Sequence, residues 1–238
     1  MSPLDTAAVP KETAADTPLA FSRKRRTWPP RPGVEVSCGE VNSPSDFFKF
    51  FPPAAETLRG CERGMNYADI RPIDVANGPG IRVSVFVSGC THACPECFNP
   101  EAWDFEYGAP FTQAEADQVL QALEKPYIKG LSLLGGEPCH PRNQGTVLDL
   151  VRQVRERFPE KDIWCYTGYL FEDLAAGKVG EHGRALLEQL DVLVDGPFVI
   201  ALKNLGLRFR GSSNQRIIEV RPSLERGEPV LWDETSVE

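Results

Sequence analysis

Three cysteines, Cys90, Cys94 and Cys97, stand within eight residues of the stretch GCTHACPECFN at 89–99. Such spacing is too tight for ordinary core cysteines, and a redox C-x-x-C pair alone would not need the third. Thiolates placed this way bind metal. A closed zinc site needs a fourth ligand, and an iron–sulfur cube normally takes four thiolates. Three leave one metal position without a protein ligand, and an open position is where substrate or cofactor coordinates. His92 lies inside the loop, where it would strain a tetrahedral shell, and His140 is the other nearby candidate. Zinc and an iron–sulfur cluster both stay open on these residues alone.

The composition narrows the setting. The chain has 238 residues, 41% hydrophobic and 25% charged, with a formal charge of −8. That is enough for one sizeable core plus an appendage. The acidic balance argues against nucleic acid or an anionic membrane as partner, since both reward a basic surface. No apolar run reaches bilayer length, and no signal-type apolar region follows the start. Seven cysteines, an odd number with three clustered, read poorly as a disulfide framework and well as free thiols in a reducing cytoplasm. A transit peptide is disfavoured, because Asp5, Glu12 and Asp16 come early although a basic run lies at 23–26.

Residues 1–64 read as a Pro-rich, mostly disordered extension, with Pro-Pro pairs at 29–30 and 52–53 and one apolar patch, FFKFF at 47–51. From Met65 the pattern becomes one of alternating strands and helices. At 81–88, Ile81, Val83, Val85 and Val87 face one way and Arg82, Ser84, Phe86 and Ser88 the other, predicting a strand with one apolar side. Thr112 and Glu115 form a capping-box pair ahead of a helix through Ala116, Val119, Leu120 and Leu123. A buried strand follows at 131–134, then a helix through Val147, Leu150, Val151 and Val154 that stops before Pro159. Strands at 162–166, 192–194 and 215–220 and a weaker helix at 185–190 complete the series. Strands separated by helices predict a parallel sheet. Cys90, then Gly135-Gly136-Glu137-Pro138, then Thr167-Gly168-Tyr169, then Asp195-Gly196-Pro197 each follow a strand, so all four motifs belong to one rim at the strands' carboxyl ends.

With those motifs in place, C-x-x-x-C-x-x-C after one strand and Gly-Gly-Glu-Pro after the next resemble the radical S-adenosylmethionine (SAM) superfamily. Gly78-Pro79-Gly80-Ile81-Arg82, Phe86 and Gly89 extend the likeness to the glycyl-radical activating enzymes. The segments VANGPGIRVSVFVSGCTHACPECFN, DIWCYTGY, LDVLVDGPF and RGSSNQR are similar to the activating proteins of anaerobic ribonucleoside-triphosphate reductases, in order across about 65–220. The tail at 221–238 lies outside that likeness.

The resemblance implies an α/β fold, a shortened and partly open (β/α) barrel. It implies a [4Fe–4S] cluster on Cys90, Cys94 and Cys97, with SAM chelating the open iron. Gly135 and Gly136 would admit backbone to the SAM amino group, Glu137 would join that contact, and Glu96, Cys97 and Phe98 would flank the adenine. Glu96 departs from the aromatic residue that many superfamily members carry before the last cysteine. One electron from a donor such as flavodoxin or ferredoxin would split SAM to a 5′-deoxyadenosyl radical, which would take hydrogen from a glycine of the partner reductase. Cys139 is then a small loop residue, since a fourth ligand would close the position SAM needs; Cys165 is buried and inert; Cys38 and Cys61 have no role. Asp195 reads as a turn former with a possible site role. Tyr166, Thr167 and Tyr169 read equally as packing or ligand contact, and Arg208, Arg210 and Arg216 as partner contacts or a solvated edge. The competing readings are an activase of the pyruvate formate-lyase type and a non-catalytic iron–sulfur or zinc protein.

Overall fold

The computed structural model of the protein describes residues 64–233. The expectations for the extension, including its disorder, the patch at 47–51, the basic run at 23–26, Cys38 and Cys61, lie outside the described residues. Seven strands form one sheet in the order β3-β1-β2-β4-β5-β6-β7. They are β1 (Asn66–Asp74), β2 (Ile81–Val87), β3 (Ala109–Pro110), β4 (Ile128–Gly135), β5 (Asp162–Tyr166), β6 (Val192–Asp195) and β7 (Arg216–Glu219). The helices are α1 (Gln113–Leu123), α2 (Pro141–Arg157), α3 (Phe171–Ala175), α4 (Gly183–Leu187) and α5 (Val220–Arg226). Among the described residues, no helix is long and apolar enough to cross a membrane.

The centre of the sheet is parallel, as the alternation requires: β2 pairs β4, β4 pairs β5 and β5 pairs β6 in parallel. Both edges differ from the parallel expectation. β1 runs antiparallel to β2, β3 antiparallel to β1, and β7 antiparallel to β6. β1 had no clear sequence signal because its alternation is broken by Pro72, its register slips twice, and much of it is exposed. The capping box forms as expected: the Thr112 side chain accepts from the Ala114 N–H, and Glu115 Oε2 accepts from the Thr112 N–H at 2.8 Å.

One sheet face packs against α1 to α4. Val83, Val85, Val87, Leu131, Leu133, Ile163, Cys165 and Leu193 share a core with Val119, Leu120, Val147, Val151, Phe171 and Leu186. The other face is buried too, so β2 does not have a polar side turned to water. Trp164, Val192, Val194 and Ile217 pack there with Phe209 and Trp232. On the same face Arg82 is fully buried. Its Nε donates to Ser132 Oγ at 2.7 Å and its Nη2 to the Leu131 carbonyl at 2.8 Å, and it pairs with the carboxylate of Asp162.

Removing one member of a buried ion pair strands the other without compensation. Arg82→Met should lower unfolding free energy by about 3 kcal/mol, read from the urea midpoint. Adding Asp162→Asn should recover part of that loss.

Candidate cluster and cofactor site

Strand register assembles the rim. Val87 lies opposite Gly135 across β2 and β4, and Tyr166 opposite Val194 across β5 and β6. The segments leaving β2 and β4 are then stitched directly: the Gly136 N–H donates to the Val87 carbonyl at 2.7 Å and the Glu137 N–H to the Gly89 carbonyl at 2.9 Å. Such close approach leaves no room for side chains. A Cβ on Gly136 would sit 2.7 Å from the Gly89 carbonyl oxygen, and one on Gly135 2.7 Å from the Val87 backbone nitrogen. The need for glycine here comes first from the chain's own packing.

Glu137 is the centre of the rim. Its side chain is 1% exposed. Oε1 accepts from Thr167 Oγ1 at 2.7 Å and from the Cys139 N–H at 2.9 Å. Oε2 accepts from the Gly168 N–H at 2.8 Å and lies 2.9 Å from His92 Nε2. Both oxygens of Glu137, a residue expected at the cofactor, thus accept hydrogen bonds from the protein itself.

A cavity of about 480 Å³ opens at this rim, lined by Cys90, Cys94, Cys97, Glu96, Phe98, Gly135, Gly136 and Glu137, with Tyr166, Thr167 and Gly168 beside them. The volume is that of a small-ligand site. Its far wall comes from the segment before β7, including Phe198, Leu207 and Phe209. Phe98 is 80% exposed and Leu205 92% exposed, both on its lining. The three thiols are free and half-buried. Ala93 and Glu96, each just before a cysteine, hold φ of 48° and 54°, a left-handed conformation rare outside glycine. Burial, opposed by a hydrogen bond from the His92 backbone and reinforced by the Glu137 charge, pushes the Cys90 thiol up to about 11. A bound metal is what would deprotonate it near neutrality.

Each candidate for a fourth protein ligand is engaged elsewhere. The His92 Nε2 faces Glu137. His140 caps α2, its Nδ1 accepting from the Arg142 N–H at 3.2 Å, and burial holds its pKa below the ordinary value, which favours that neutral acceptor. Cys139 is buried with its sulfur 3.8 Å from that of Cys165. Among the described residues, no three His, Cys, Asp or Glu side chains converge as they would around one metal ion. Thiolates are the usual protein donors of an iron–sulfur cube, and three of them line this cavity, so the chemistry of the donor set fits such a cluster.

Two buried residues of this rim were not foreseen. Asn143 Nδ2 donates to the carbonyls of Ser88 and Glu137 at 3.0 and 2.9 Å, and Gln144 Nε2 to those of Cys139 and Val179 at 2.6 Å each. In sequence they are polar positions in an amphipathic helix, indistinguishable from its solvent side. Asp195 is more than a turn former: fully buried, it accepts from the Phe171 N–H and holds Arg216, which also bridges to Glu172. Arg216, half-buried, is thus engaged inside the rim by Asp195 and Glu172.

Residues 76–218 match the family model described as a 4Fe-4S single cluster domain. The anaerobic ribonucleoside-triphosphate reductase-activating protein of Escherichia coli is 45% identical over 159 residues, 66% of this chain and 100% of that protein. Its namesake in Vibrio cholerae is 46% identical over 64% of this chain and 97% of that protein. The one of Enterobacteria phage T4 is 43% identical over 64% and 93%.

Cys139→Ser should leave iron content after reconstitution unchanged, whereas serine at Cys90, Cys94 or Cys97 should abolish stable uptake; metal analysis of the desalted protein distinguishes these. In the metal-free protein, alkylation of Cys90 should rise about tenfold per pH unit and level off only near its value of about 11, followed by peptide mass spectrometry.

Proposed function

This chain belongs to the family of anaerobic ribonucleoside-triphosphate reductase-activating proteins, and from that premise we propose that it is a radical SAM activase generating a glycyl radical on such a reductase. The observation that carries the reading is the set of three thiols on one cavity while His92, His140 and Cys139 are each committed elsewhere. An open sheet with a parallel centre and its site at the carboxyl ends of the strands agrees with a shortened, partly open barrel.

In this reading Cys90, Cys94 and Cys97 hold the [4Fe–4S] cluster, and the cavity between them and the Gly135-Gly136 turn receives SAM. Bound together, these groups would supply one-electron cleavage of the sulfonium S–C5′ bond, giving methionine and the adenosyl radical that takes hydrogen from the partner's glycine. The residues of the chain bind, orient and shield. The Gly135-Gly136 backbone presents its polar groups without side-chain obstruction, and Glu96 and Phe98 border the place of the adenine. Trp103, Leu134 and Phe198 supply apolar wall that limits water. Glu137 acts through the loops it ties together. The free thiols suit a reducing cytoplasm, where flavodoxin or ferredoxin would serve as electron donor.

Anaerobic reconstitution with iron and sulfide, reduction and addition of SAM should give 5′-deoxyadenosine, and addition of the anaerobic reductase should give a glycyl-radical doublet by electron spin resonance. A fully loaded protein that forms no 5′-deoxyadenosine would falsify the enzyme assignment. A doublet raised only on a formate-lyase partner would move the protein to the other activases.

A further inference from the structure

We propose that His92 is a positioning residue for the cluster: clamped by Glu137, its imidazole fixes the cysteine loop in the register that presents Cys90 and Cys94 to the metal. The inference rests on the cluster assignment above and goes beyond it.

The clamp has three sides. Nε2 lies 2.9 Å from Glu137 Oε2, at the end of β4. The ring meets Tyr169 edge to face, with centroids 4.6 Å apart at 67°, just beyond β5. Gly168 forms the third side, where a Cβ would stand 2.5 Å from the imidazole. The ring is thus in close contact on three sides, with Nε2 near the Glu137 carboxylate. It belongs to a loop otherwise tied near its ends, where the Cys90 N–H donates to the Trp103 carbonyl and the Cys97 N–H to the Cys94 carbonyl, both at 3.1 Å.

Two features connect the clamp to the metal. His92 lies two residues from each of the first two ligands, so the residue held at Glu137 through its ring stands at the middle of the span between Cys90 and Cys94. The next residue, Ala93, holds φ at 48° immediately before Cys94. A non-glycine residue keeps such a conformation only where its surroundings over-determine it, and the anchored imidazole supplies that constraint. Partners that orient metal ligands from outside the coordination shell commonly contribute 10–100-fold to metal retention. Hydrogen bonds to cluster sulfurs also set the reduction potential. Release of His92 therefore affects both quantities.

The test compares the full chain with His92→Leu, which keeps apolar contact with Tyr169 but loses the polar link, and with His92→Gln, whose amide can reach Glu137. After anaerobic reconstitution, His92→Leu should lose its cluster to EDTA about tenfold faster than the unaltered protein, with a displaced midpoint potential in a dye titration. His92→Gln should restore both. Thermal melting of the metal-free proteins checks folding, and if His92→Leu does not fold, His92→Asn, whose amide falls short of the carboxylate, takes its place. Equal cluster loss and equal potential in His92→Leu and the unaltered protein would overturn the inference, as would a glutamine variant no better than leucine. None of these measurements needs SAM, so a protein that holds its cluster through His92 yet forms no 5′-deoxyadenosine would sink the activase reading alone. An unaltered protein that takes up no cluster would sink both.

Discussion

A buried carboxylate without donors would be among the costliest features this fold could contain. Glu137 escapes that cost because the ends of three strands converge on it. Thr167 and Gly168 beyond β5, Cys139 beyond β4 and His92 beyond β2 each bring a donor or a ring nitrogen to its two oxygens. The Glu137 contacts add to backbone bonds from Gly136 to Val87 and from Glu137 to Gly89 that already draw these loops together. Charge-assisted bonds in a water-poor site are strong and directional, so one side chain reinforces the spacing that strand register and backbone bonds establish. The cavity that places three thiols opposite Gly135 and Gly136 follows from that spacing.

Further clamps repeat the device at greater distance. Asn143 and Gln144 enter from the first turn of α2 and satisfy carbonyls that the departing strands would otherwise bury unpaired. Asp195 and Arg216 join β6 to β7, and Arg216 carries the link on to Glu172 in α3. Arg82 holds β2, β4 and β5 together beneath the cavity. The cysteine loop is fixed at its two ends and at His92, while Phe98 projects into solvent. Rigid scaffold and exposed functional loop is the division expected of a site that must admit its ligands.

Much of this was legible where the determinant is local. The capping box at Thr112 and Glu115 depends on two residues three apart, and β5 occupies the span at 162–166 that its short apolar run marks out. The three cysteines and the strand-end glycines were legible for the same reason. What escaped depends on partners distant in sequence. Asp195 looks like a turn residue until Arg216 is brought beside it, and Asn143 looks solvated until Ser88 and Glu137 arrive. Gly136 was expected to make room for a ligand, whereas the nearest obstruction to a side chain is the Gly89 carbonyl. The antiparallel edges escaped because β1 is irregular and half-exposed, and nothing in a single strand announces the direction of its neighbour.

Those edges bear on how the protein behaves in a crowded solution. A sheet normally risks recruiting strands from other molecules along its free margins. Here one margin is β3, only two residues long and ending in Pro110, which has no amide hydrogen to offer. The other is β7, four residues long, partly covered where Ile218 pairs with Leu231. β3 covers only Asn66 and Tyr67 of β1, so the rest of that strand's outer side, broken by Pro72, is the longer stretch of margin in the described domain. Along that stretch a proline, two slips of register and the charged side chains of Asp69 and Arg71 are what stand against an unwanted strand.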